Sequence, residues 1–348
     1  MLWCPVRRGK VAHSSPRVWP AKRCPVTVCI AALFRWNYAA AGKPPDLGVA
    51  AVAVSDRMIT AGDVQYEPAQ SKVALVGRRI AMLIAGDYPV HSQALRITLK
   101  YFGGKPDATS LQIANFYGAQ IQAIQRKQAE DHILVPLGLN TDSFLAQQKD
   151  MSEGFIATTT SDLQNFRGAD VEALVVGIDA DGLASLYHID HRGVIGAYDD
   201  VGFAAIGIGA WHARSSLMQA GYTNQAGFFP ALAAVYHAKK IAEIAPGVGK
   251  GTDVHLIFRS GVEKLWTGYP EKLAELYDKY EGERAKLGTG IIEELERFTR
   301  AQNPPPHPQA PQPETPTGTG PKGSGDDQGS GSTESAEVAA ENTGEVQG

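Results

Sequence analysis

Cysteine is scarce in this chain: only Cys4, Cys24 and Cys29 occur in 348 residues. Two of the three precede the first long apolar segment, so neither a disulfide framework nor a zinc site can be assembled from them. Long hydrophobic runs are missing too. No segment approaches the ~18 consecutive apolar residues of a membrane span. The formal net charge is −4, and six basic residues (Arg7, Arg8, Lys10, Arg17, Lys22, Arg23) stand ahead of position 27, so the remainder is more acidic still. That remainder has no Lys/Arg cluster able to track a phosphate backbone. These absences predict a soluble core in a reducing, cytoplasmic setting, with no nucleic-acid or membrane partner.

The two ends differ from the middle. Residues 1–26 contain Pro, Trp and basic side chains, no acid, and no apolar run long enough for a secretory signal. From Asn303 onward the sequence turns to Pro, Gly, Ser, Thr, Gln and acids ("NPPPHPQAPQPETPTGTGPKGSGDD"). Such composition cannot bury enough apolar surface to offset the entropy of ordering. The reading is therefore a leader or upstream extension over 1–26, one folded domain over 27–302, and a disordered tail over 303–348.

Within the middle, apolar β-branched runs at 27–35 and 48–55 predict a buried strand pair. Strands are also expected at 72–76 and 80–85, followed by helices over 87–101 and 110–128. After a polar stretch with no clear pattern (130–170), strands are expected at 172–178, 185–189 and 202–208. Helices over 210–220 and 230–245 follow, then strands at 253–258 and 262–267. A charged amphipathic helix runs from 270 to 300, with a break expected at Gly288–Gly290. Strands in runs, with helices in pairs between them, argue against alternating βαβ units. They favour an α+β fold of two sheets between helical layers.

The segments "TVCIAAL", "GVAAVAVSDRM" and "SKVALVGRRIAMLIAGD" resemble the opening of proteasome β subunits, their simpler bacterial relative and the bacterial homologue called Anbu; the likeness weakens but continues to about residue 268. Its specific part is a set of spacings. Asp56 ends an apolar run, Lys72 lies 16 residues further on, and Gly86 lies 14 beyond Lys72. The resemblance implies a four-layer αββα sandwich of the N-terminal-nucleophile hydrolase type and a threonine endopeptidase with catalytic residues Thr27, Asp56, Lys72 and Gly86. An N-terminal Thr needs no separate histidine, because its own α-amine serves as base. Lys72 would steady the hydroxyl, Asp56 would orient Lys72, and the backbone N–H near Gly86 would hold the oxyanion. Ile59, Ile84 and Tyr88 would line an apolar substrate pocket beside Thr27. The family also implies a homo-oligomeric ring or helical stack, peptide or unfolded-protein substrates, delivery by an ATP-dependent unfoldase, and no cofactor or metal.

The second half departs from the family pattern. Gly207-Ile208-Gly209 stands where a Gly-Ser-Gly turn is usual, so a supporting hydroxyl is missing. Gly247 and Lys250 occupy the places of a later bracing Asp and Ser, with Asp253 as the candidate substitute. These departures leave open a catalytically inactive structural ring subunit. Val26 precedes Thr27 where self-processing subunits carry Gly. A GTG start codon at that position, read as Met and then removed, would expose Thr27 and make residues 1–26 an artefact of the assigned start.

Three other segments compete for the chemistry. Cys29 lies two residues beyond Thr27 and so shares its strand face, which leaves an N-terminal-nucleophile amidohydrolase as an alternative. "APGVGKGT" at 245–252 looks like a phosphate loop, but such a loop needs a strand before it and a helix after it, the reverse of the order expected here. His188, Asp190 and His191 offer metal-ligand atoms at a strand end, where a solvated turn is the plainer explanation.

Overall fold

The computed structural model describes residues 27–38, 46–61, 64–66, 71–266 and 268–302. The expected leader (1–26) and tail (303–348) lie outside the described residues. The chain divides into two compact units, one ending at Lys286 and one beginning at Leu287, inside the last helix. Every described strand belongs to the first unit.

Twelve strands are described, and the long ones begin where β-branched and apolar runs begin. They are β1 (Cys29–Tyr38), β2 (Asp46–Asp56), β3 (Ile59–Ala61), β4 (Val64–Tyr66), β5 (Val73–Leu75), β6 (Ile80–Gly86), β7 (Val171–Ile178), β8 (Ala184–Ile189), β9 (Ile195–Ala197), β10 (Phe203–Ile206), β11 (Thr252–Phe258) and β12 (Gly261–Lys264). Two five-stranded antiparallel sheets result, ordered β10-β1-β2-β11-β12 and β5-β6-β7-β8-β9, with β3 and β4 paired separately. The fold is therefore α+β, and its sheets are antiparallel rather than wound from βαβ units.

Side-chain alternation explains why β1 reads as an unbroken apolar run. Val28, Ile30, Ala32 and Phe34 enter one buried cluster, while Cys29, Ala31 and Leu33 enter another. The second cluster is shared by both sheets: Ala51 and Ala53 of β2 meet Ala81, Leu83 and Ala85 of β6 and Leu174 and Val176 of β7. Alanine recurs on both facing surfaces, which lets the backbones come close.

The outer faces are covered by helices. α1 (Tyr88–Phe102) and α2 (Ser110–Ala129) supply Val90, Ala94, Ile113, Tyr117 and Ile121 to a cluster with Met82, Ile84 and Val175. On the first sheet, α5 (Ala210–Gln219) and α6 (Phe228–Ala242) supply Ala213, Leu217, Leu232, Val235 and Ala238. Between α2 and β7 lie α3 (Thr141–Ala146) and α4 (Glu153–Asn165), capped by Asn140 and Ser152. Their sequence shows no apolar stripe because they bury little: Phe144 in α3 and Thr159 in α4. The last helix, α7 (Tyr269–Gln302), continues through Gly288 and Gly290 without the expected break. A helical glycine is worth only about 1 kcal/mol against Ala, less than the hydrogen bonds a break would forfeit. None of the described helices is long and apolar enough to cross a membrane.

Two local devices place the site. β1 starts two residues after Thr27, and β2 pairs with it so that Cys29 lies opposite Ser55. Where β6 ends, Gly86 takes φ 116°, and Asp87 caps α1 by accepting from the Val90 N–H at 3.1 Å. A side chain at Gly86 would strike the Asp170 carbonyl. This sharp strand-to-helix turn therefore requires glycine.

Candidate active site

Thr27 sits at the mouth of β1 and is 3% exposed. Its hydroxyl donates to Asp56 Oδ1 and accepts from the Lys72 ammonium, both at close range. Lys72 Nζ is also 2.7 Å from Asp56 Oδ1. Three side chains far apart in sequence thus form one closed triangle. Asp56 ends β2 beside Thr27 because the two strands are register neighbours, and Lys72 arrives just ahead of β5, in the other sheet.

Asp56 is fully buried, and five donors converge on it. Oδ1 takes Thr27, Lys72 and the Val28 N–H (3.1 Å); Oδ2 takes the N–H groups of Met58 (3.1 Å) and Gly249 (2.9 Å). A buried carboxylate is tolerable only when its lone pairs are satisfied in this way. The result is an acceptor that cannot swing away from Thr27.

The main chain of Thr27 is held separately. Its carbonyl accepts from the Gly209 N–H at 3.2 Å, and Gly207 packs so closely that a Cβ there would collide with that carbonyl. Gly207 itself, at φ 85°, donates to Glu172 Oε2 at 3.0 Å. Ile208, at the position expected to carry a hydroxyl, packs partly buried against the first sheet's helical core.

Glu172 on β7 carries no signal in the sequence. Burial works to raise its pKa, but the approach of His188 (Nε2 to Oε1, 3.3 Å) and the Gly207 N–H outweigh that and lower it. Lys239 is a second residue that sequence reasoning misses. It is wholly buried on α6 and donates to the carbonyls of Gly249 and Lys250 at 3.0 and 2.8 Å. Helical spacing holds the signal that could have found it, since Lys239 falls on the stripe of Leu232 and Val235.

The remaining candidates separate. Cys29 is fully buried, its Sγ lies 3.5 Å from the Ile84 carbonyl, and burial pushes its thiol up to about 12. Asp253 does not brace Thr27. Burial tends to raise its pKa, but Arg57 at 2.7 Å and Lys264 at 3.4 Å hold it below the usual range. Asp190 closes the turn after β8 by accepting from the N–H groups of Arg192 (2.9 Å) and Val194 (2.8 Å). No group of metal-ligating side chains is found among the described residues. The phosphate-loop look-alike runs from α6 into β11. Of the expected pocket residues, Ile84 packs under α1, Tyr88 is half exposed at the first turn of that helix, and the side chain of Ile59 lies outside the described residues.

Near Gly86, His91 is buried between Ala85 and Tyr117. Its Nε2 lies 2.9 Å from the Ala85 carbonyl, which can only accept, so Nε2 carries the proton and Nδ1 accepts from the Tyr117 hydroxyl. Burial draws its pKa down to about 4, which keeps this neutral form. The Ala85 carbonyl belongs to the same peptide unit as the Gly86 N–H, so His91 helps to fix the direction of that N–H.

No protein-family model matches this chain, and no curated protein matches it.

Proposed function

We propose that this chain is a threonine-type peptidase of the proteasome β kind, a four-layer αββα sandwich of the N-terminal-nucleophile type, working through Thr27 once the residues before it are removed. One observation carries the reading: the Thr27 hydroxyl touches both Lys72 and Asp56 at the start of β1. A threonine placed only to fill a strand end has no need of a buried ion pair.

In the proposed reaction the freed α-amine takes the hydroxyl proton as Oγ1 attacks a peptide carbonyl. The Lys72 ammonium favours the alkoxide-like oxygen, and Asp56 keeps Lys72 in place. The Gly86 N–H holds the oxyanion. The amine then returns its proton to the leaving nitrogen, the C–N bond breaks, and an acyl ester remains on Thr27. Water hydrolyses that ester by the same route in reverse. No cofactor enters. Peptides or unfolded chains are the proposed substrates, cleaved after apolar residues. A homo-oligomeric ring or stack fed by an unfoldase would restrict access to the site.

A structural ring subunit without activity is the second reading, favoured by Ile208 packing into the core where a hydroxyl would assist. Cys29 is the weaker nucleophile, because its burial and raised pKa oppose thiolate formation. Intact mass and N-terminal sequencing of the protein from its own cell, with and without a β-lactone or epoxyketone probe, test all three. The proposal expects a chain beginning at Thr27 that carries the adduct on that residue. A chain that retains residues 1–26 and stays unlabelled overturns it, and an adduct on Cys29 moves the chemistry there.

A further inference from the structure

Lys239 is a fully buried lysine that the proposed reaction does not use. Its ammonium has three oxygen partners: Glu243 Oε1 one helical turn on, the Gly249 carbonyl and the Lys250 carbonyl. Burial draws its pKa down, while Glu243 works against that shift. Burying an ammonium is costly unless it is paired and hydrogen-bonded, and an apolar side chain would fill the same stripe of α6 without that cost. The position is therefore explained by what the ammonium holds.

It holds the glycine-rich segment between α6 and β11. Gly249 is pinned from both sides: its carbonyl accepts from Lys239 at 3.0 Å, and its N–H donates to Asp56 Oδ2 at 2.9 Å. The other oxygen of that carboxylate receives Thr27 and Lys72. A continuous line of hydrogen bonds thus leads from the interior of α6 to the reactive hydroxyl. The loop that resembles a phosphate loop turns its Gly249 N–H to a carboxylate.

We propose that Lys239, neutralised by Glu243, is a positioning residue for catalysis: by holding the carbonyls of Gly249 and Lys250 it fixes the backbone on one side of the Gly249 Cα, and the Gly249 N–H on the other side orients Asp56 and, through it, Lys72 and Thr27. The proposal rests on the reading of Thr27 as the nucleophile. It assigns to a buried lysine and a backbone amide the bracing that side chains at Gly247 and Lys250 do not supply.

Lys239→Met keeps the length of the stem and removes the donors. In the protein that begins at Thr27, this variant is expected to lower kcat on the order of 100-fold with KM unchanged, as small misplacements of reacting groups do. Val235→Ala, a buried change on the same helix, is expected to lower the unfolding temperature and leave kcat alone. A folded Lys239→Met protein with wild-type kcat overturns the proposal. Should that variant not fold, Glu243→Gln carries the test. It is expected to lower kcat about tenfold, the scale of one charge-assisted hydrogen bond, and an unchanged kcat again overturns the idea. If the wild-type protein neither cleaves peptides nor labels at Thr27, the functional reading has failed on its own. Lys239 is then judged by hydrogen exchange at the Gly249 amide: faster exchange in Lys239→Met supports the brace, and equal protection removes it.

Discussion

The two halves of the Thr27 site are made of different material. Asp56 and Lys72 reach Thr27 with side chains, from the end of β2 and from just ahead of β5. The Gly207–Gly209 turn and the loop at Gly249 serve the same site with backbone N–H groups. A side-chain contact demands a particular residue at a particular spacing. A backbone contact demands a conformation, which at Gly207 means a left-handed φ and no side chain. The first half is therefore rigid in identity and the second rigid in shape.

The sharpest way to break this contrast is Thr27→Ala. It should abolish peptide turnover, by on the order of 10⁴-fold or more, as removal of a nucleophile does elsewhere. A fluorogenic peptide assay reads it, and residual activity near wild type would move the chemistry away from Thr27. Next in size is Asp56→Asn, which strips the counter-charge from Lys72, a side chain only 11% exposed. Breaking such a pair is expected to remove about 3 kcal/mol of stability as well as activity, measurable by urea unfolding alongside turnover.

Gly207→Ala probes the backbone half. It places a Cβ against the Thr27 carbonyl at a residue with φ 85°. The left-handed conformation alone opposes it by about 1–2 kcal/mol. Labelling of Thr27 should fall even though no side chain of the triangle has changed. Normal labelling would mean that the turn can move without consequence.

A comparable effect on stability, without a mutation, comes from pH. The folded pKa of His91 is drawn from 6.5 down to about 4, so between those values the unfolded chain binds the extra proton. Stability is then fully present above about pH 6.5 and lost as pH falls towards 4, by up to about 3 kcal/mol from this group. Unfolding free energies measured across that window should show the slope, and His91→Gln should flatten it. The smallest effect belongs to Cys29→Ala. About 1 kcal/mol of stability is expected to go, with turnover unchanged, and a loss of turnover would revive the cysteine.

Much of the fold is legible in the sequence because both faces of its central strands are buried. "TVCIAALF" has no polar residue beyond its first, since its even and odd positions enter two different apolar clusters. α1 and α2 announce themselves by caps at Asp87 and Thr109 and by apolar stripes. β9, three residues long, and α3 and α4 give no such signal, because they bury little of their own surface.

The sequence by itself determined the strand pattern and the order and spacing of Thr27, Asp56, Lys72 and Gly86, because side-chain chemistry is written residue by residue. Only the tertiary structure decided that Glu172 anchors the Gly207 turn, that Asp253 turns to Arg57 instead of Thr27, and that Lys239 and Gly249 stand behind Asp56. Those contacts pass through backbone amides or join segments from opposite ends of the domain. Pairing of that kind is set by how the sheets and helices stack, which no local pattern records.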